Sequence, residues 1–222
     1  MLSYFALLKR LLWAKPGDYT ALDLAPAVEV VISTFAVLVG ISLTDFFDDQ
    51  KNRLPEDVRN WAFWALVALL LRYIIGSAIH LKNAYAVSQL DYRDSPSIGR
   101  MLKDILFLVL FGLVAVHMTH SKTIDHFIQQ AGVFVAISLL WSISDPFFRK
   151  WPFGRIWGPA IGGQKPFWKI WAPIDALQLA FTLLAYRYMR GDPIWAAKAL
   201  AFAYTGFVAV DLVLMLRLRA LR

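Results

Sequence analysis

The chain has 222 residues, of which 59% are hydrophobic and 18% charged, with a formal net charge of +7 and no cysteine. Its apolar residues fall in long blocks rather than at the spacing of a soluble core, which excludes an ordinary water-soluble domain and points to an all-α integral membrane protein. The missing cysteines exclude disulfides and thiolate metal sites.

The first element is "MLSYFALLKRLLWAK", closed by Pro16-Gly17. No basic residue precedes its apolar part and no small-residue cleavage site follows, so it does not read as a signal peptide. Lys9 and Arg10 interrupt the apolar run, and the stretch is too short to span. Residues 1–16 are therefore expected to lie as an amphipathic helix at the membrane interface.

Windows long enough to cross about 30 Å of hydrocarbon follow at residues 26–44, 58–81, 101–118, 127–145, 168–188 and 194–216. The expected architecture is a six-transmembrane-helix bundle forming one domain over 1–222. Pro26 opens the first span and Pro173 falls in the first turns of the fifth, where a missing N–H costs least. Two ends look alike, "GISLTDFFDD" around Asp45 and "WSISDPFFRK" around Asp145. Three helices per half would set these on opposite faces, as an inverted repeat requires. At the same offset, however, Arg72 meets Ala172 and Asp104 meets Tyr204, so the match stays local.

Topology follows from the basic residues, since translocating Lys and Arg is disfavoured. Of the 23 Lys and Arg, 15 fall on one side, 7 on the other, and Arg72 is left inside a span. Both termini are thereby expected in the cytoplasm of a multi-pass inner-membrane protein. The net charge is accounted for by topology and by attraction to the lipid bilayer's anionic headgroups, and no nucleic-acid partner is needed. The basic, Trp-rich segment 149–169 and the more polar segment 82–100 fall on the cytoplasmic side. Both are candidate docking sites for a cytoplasmic protein.

Ionisable residues inside spans are costly, by roughly 2.5–3.5 kcal/mol at a helix centre on insertion scales, so each requires a partner, water or a purpose. Here Glu29, Arg72, His80, Asp104, Asp175 and Asp211 all fall in the cytoplasmic half. Arg72, Gly76 and His80 recur at four-residue steps on one helix face. Asp175, Gln178, Thr182 and Tyr186 form a polar stripe along the fifth span, and Ser138, Ser142 and Asp145 end the fourth. Glu29, Ser33, Ala36, Gly40 and Thr44 make a small and polar stripe on the first.

Two meanings of these stripes stay open. They are helix seams in which Arg72 neutralises one or two of Asp104, Asp175 and Asp211, or the surplus carboxylates line a wetted ion or proton pathway with Gln178 and Thr182 as waypoints.

On the other side, "HMTHSKTIDH" offers His117, His120 and His126 with Asp125, a set able to hold a divalent metal or to sense pH, or simply solvated helix ends. Haem ligation by His80 and His117 fits poorly with their positions at opposite faces, and no cofactor is expected.

No phosphate-binding loop, zinc-protease, serine-hydrolase or potassium-filter motif occurs. The expected function is an oligomeric ion or proton channel or transporter. The alternative is a non-conducting anchor, sensor or effector subunit working with a soluble partner. A lipid-facing enzyme beside Asp104 and His80 is a third class, and no catalytic residues are assigned.

Overall fold

A computed structural model of the chain describes residues 33, 35–46, 54–85, 98–150, 168–189 and 191–220, with side chains described within 33, 35–46, 54–77, 103–144, 171–189 and 191–214. These residues form six helices and no strand. They are α1 (Phe35–Phe46), α2 (Glu56–Tyr85), α3 (Ile98–Thr119), α4 (Ile124–Lys150), α5 (Trp168–Met189) and α6 (Pro193–Ala220). The interfacial helix expected over 1–16, Glu29, most of the 82–100 and 149–169 segments and the far C-terminus lie outside the described residues.

Short polar punctuation starts the helices. Asp192 caps α6 by accepting from the Trp195 backbone N–H at 3.1 Å, with Pro193 next in the chain where no N–H is needed. Thr123 caps α4 by accepting from the His126 N–H at 3.2 Å, and Glu56 and Asp57 place acids in the first turn of α2. Pro173 is tolerated in the second turn of α5.

Three helices contain stretches long and apolar enough to cross a membrane, Glu56–Ser77, Ile124–Ser144 and Pro193–Leu214. The expectation of six comparable apolar spans is met by these three. Of the others, α1 is described only over Phe35–Phe46, α3 places Arg100, Lys103 and Asp104 in its first two turns ahead of an apolar run, and α5 carries Asp175, Gln178 and Arg187 along its length. Two expected boundaries also move. The second helix continues to Tyr85, and the fourth runs past Asp145 to Lys150, so "WSISDPFFRK" continues a helix instead of leaving one.

The principal helix pairs are α2 with α6, α4 with α5, α3 with α4, and α5 with α6. Their shared core is aromatic: Phe46, Phe111, Phe127, Phe134 and Tyr204 are fully buried. Tyr73 sits edge-on to Phe134 at 4.8 Å and beside Phe111 at 5.3 Å, and Phe111 reaches Trp141 at 5.7 Å. At Gly112 the Leu38 side chain of α1 packs onto α3, and an added Cβ would lie 2.7 Å from Leu38 Cδ1.

The radial distribution is inverted relative to a water-soluble bundle. Leu71, Leu106, Leu113, Leu140, Leu177, Leu183, Leu184, Phe202 and Val213 face outward, while Arg72, Lys103, Asp104, Asp175, Gln178 and Asp211 are buried.

Candidate functional site

Three helices deliver the charged centre. α2 supplies Arg72, one turn before Gly76 and Ser77; α5 supplies Asp175 and Gln178, three residues apart on one face; α6 supplies Asp211. Arg72 is 3% exposed, and Asp175 and Asp211 are each 2% exposed.

The guanidinium divides between the two carboxylates. Arg72 Nε donates to Asp211 Oδ2 at 2.7 Å, and Arg72 Nη1 donates to Asp175 Oδ1 at 2.9 Å. Nη1 also reaches Gln178 Oε1 and, at 3.0 Å, the Tyr73 hydroxyl. The planar fork of an arginine suits this double engagement in a way a lysine ammonium does not. The other oxygen of Asp175 accepts from Ser138 Oγ at 2.8 Å and from Ser142 Oγ at 2.9 Å. Those serines sit one turn apart on α4 and face α5, the stripe that the sequence placed at the end of the fourth span.

Asp211 is served differently. Its Oδ2 is taken by Arg72, whereas its Oδ1 is buried with no hydrogen-bond partner among the described residues. Arg72 Nη2 and Gln178 Nε2 share that condition. Arg72 and Asp211 line a partly open cavity of about 20 Å³ together with Gly76, Ser77, Trp141 and Trp171 and the Asp175 side with its two serines. That volume fits one water molecule.

Away from this cavity the polar stripe of α5 continues as hydrogen bonds to other helices. Thr182 Oγ1 bonds to the Gln178 carbonyl at 2.8 Å and meets the Tyr204 hydroxyl of α6 at 2.9 Å. Gln129 of α4 donates to the Tyr186 hydroxyl at 2.7 Å. Each member of the stripe thus touches a neighbouring helix or its own backbone, and the aromatic group around Tyr73 packs beside it.

Asp104 does not join Arg72. It lies at 3.3 Å from Lys103 Nζ and accepts from the Trp141 indole N–H at 2.8 Å. Lys103, one of the basic residues counted on the cytoplasmic side, is buried, with its neighbour Asp104 supplying a counter-charge on the same turn. Sequence reasoning also missed Trp141, Tyr73 and Tyr204. Their only signal was that a phenol or indole in a span needs a partner for its polar end. His80 belongs to α2, but its side chain, like Glu29, is outside the described residues.

The histidines near the α3–α4 turn do not converge. The His117 and His126 rings meet edge to face at 5.5 Å, and His126 lies beside Gln130 at 3.3 Å. His120 folds back on its own helix, with Nδ1 at 2.9 Å from the Val116 carbonyl. No group of three His, Asp or Glu side chains able to hold a metal ion occurs among the described residues.

No protein-family model matches the chain, and no curated protein or solved structure proves similar to it.

Proposed function

We propose that the chain is a six-span inner-membrane protein that carries protons or small cations by way of an internal binding site, not through an open pore. One observation carries this reading. A single guanidinium faces two carboxylates in a buried cluster, leaving one negative charge uncompensated among the described residues. In a low-dielectric interior an unbalanced carboxylate is expensive, so the cluster attracts one further positive charge.

The surroundings favour binding over free permeation. The cavity is the size of one water, too small for a hydrated ion, and on one side Tyr73 is packed against Phe111 and Phe134. The cavity lies at the end of the bundle marked by Ser77, Ser142, Trp171 and Asp211, which the distribution of basic residues assigns to the cytoplasm. The apolar outer face supports burial in a lipid bilayer, with α1, α3 and α5 completing the six spans. Both termini are then cytoplasmic. Homo-oligomerisation through the exposed Ser33, Ala36, Gly40 and Thr44 edge of α1 belongs to the same reading.

The second reading is a non-conducting anchor or sensor that holds a cytoplasmic protein at its 82–100 and 149–169 segments. It is favoured by the hydrogen bonds that tie α5 to α2, α4 and α6, as a rigid scaffold would need. Proteoliposomes loaded with a pH-sensitive dye separate the two. Proton or cation flux above that of empty vesicles, reduced at least tenfold by Asp211→Asn, supports transport. The absence of flux under any imposed pH or cation gradient overturns it.

A further inference from the structure

The two carboxylates beside Arg72 are not equivalent. Asp175 has both oxygens engaged, Oδ1 by Arg72 and Oδ2 by two serine hydroxyls from α4. Three donors hold it as a fixed anion. Asp211 has one engaged oxygen, its second is buried with no partner among the described residues, and the residue lines the cavity. The uncompensated charge therefore has one place where it can be met without breaking an existing bond.

We propose that Asp211 is the exchange site of the cluster and that its ligand is a proton, delivered through one water in the cavity, while Asp175 stays the permanent counterion of Arg72. This deepens the transport reading and rests on it for its biological meaning. In the binding step an O–H bond forms at Asp211 Oδ1 from a proton supplied by that water, which is reprotonated from the aqueous side. No bond in the protein breaks, and the cluster passes from one net negative charge to neutrality.

A proton fits better than a metal cation for two reasons. A hard cation requires about six oxygen ligands, and this cavity presents one uncommitted carboxylate oxygen among hydroxyls already directed elsewhere. Arg72 also borders the same cavity, with Nη2 unpaired, and would repel a second cation placed there. Among the described residues, the charged and titratable groups around Asp211 are Arg72 and Tyr73 from α2 and Asp175 from α5, with Tyr204 of α6 turned to Thr182. The buried Lys103–Asp104 pair lies behind Trp141. Ser138 and Ser142, which α4 presents to the cavity, carry no charge.

Infrared difference spectroscopy on the reconstituted full chain tests this through the C=O stretch of a protonated carboxylic acid. Wild type is expected to show one aspartic-acid band that shifts promptly in D₂O and is unchanged when choline replaces Na⁺. Replacing a carboxylate by its longer homologue preserves the charge count and marks its own position. Asp211→Glu should move the band to the glutamic-acid frequency, and Asp175→Glu should leave it in place. Asp211→Asn should abolish it. Movement of the band in Asp175→Glu, loss of the band on adding Na⁺, or no band in wild type each overturns the assignment. Should the glutamate variants fail to fold, Ser142→Ala still decides, because a band from Asp211 keeps its frequency whereas a band from Asp175 shifts on losing that hydroxyl. Flux on the same vesicles keeps the two ideas apart. A band without flux removes the transport reading and leaves the proton site, whereas flux without a band removes the proton site alone.

Discussion

Arg72 and Asp211 lie 139 residues apart in the chain, yet Nε and Oδ2 meet at 2.7 Å across the α2–α6 seam. The contact joins the second described long helix to the last, and Asp175 from α5 closes the same guanidinium from another side. Three helices are therefore tied by one side chain, and removing that side chain strands two anions.

Arg72→Leu is accordingly expected to destabilise the bundle by about 3–5 kcal/mol, the usual cost of leaving a buried charge unpaired. Adding Asp175→Asn and Asp211→Asn to it should recover most of that loss, since the anions depart with their partner. Thermal unfolding in detergent measures both steps. A triple variant no more stable than Arg72→Leu alone would show that the guanidinium acts through packing.

The two aspartates should differ in stability as they differ in bonding. Asp175→Asn forfeits charged hydrogen bonds from Ser138, Ser142 and Arg72, each worth about 1.5–3 kcal/mol. Asp211→Asn keeps an amide oxygen for Arg72 Nε and resembles the protonated acid, so its cost should stay within about 1.5 kcal/mol, one ordinary hydrogen bond. Equal losses in the same melting experiment would contradict the asymmetry.

Trp141 separates two contributions. Trp141→Phe keeps aromatic packing against Phe107 and Phe111 and removes the indole N–H from Asp104, a loss of about 1.5–3 kcal/mol. Trp141→Ala adds a core cavity and should cost more, about 3–5 kcal/mol. If Phe restores wild-type stability, the Asp104 bond contributes little.

At Gly112 the neighbour that an added Cβ would meet is the end of the flexible Leu38 side chain. Gly112→Ala should therefore be tolerated, with helix propensity favouring Ala by up to about 1 kcal/mol. Gly112→Leu should overpack the α1–α3 contact and cost about 1–3 kcal/mol. A cysteine pair placed across that contact, in this cysteine-free chain, should lose cross-linking efficiency in Gly112→Leu alone.

Parts of this arrangement were legible from residue spacing. The stripe Asp175, Gln178, Thr182 announces one polar face because a helix returns to the same side every three to four residues, and that face is buried. The depth of Arg72, Asp104 and Asp211 along their spans was readable for the same reason. Which carboxylate meets Arg72 was not: Asp104, Asp175 and Asp211 are equally plausible by depth, and only rotation of each helix about its axis distinguishes them. The burial of Lys103 was not legible either, because counting charges by position ignores whether a side chain turns toward a counter-charge.

An all-helical chain with apolar stretches of membrane length and a small set of internal charges is readable from residue order alone, because these properties depend on composition and on the period of a single helix. It took the packed bundle to show that Arg72 joins Asp175 and Asp211, that Asp104 pairs with Lys103 and Trp141, and that Asp211, with one oxygen unpartnered among the described residues, lines a water-sized cavity. Those outcomes depend on how helices rotate and pack against one another, through contacts between residues more than a hundred positions apart in two cases, and no local pattern encodes such rotations.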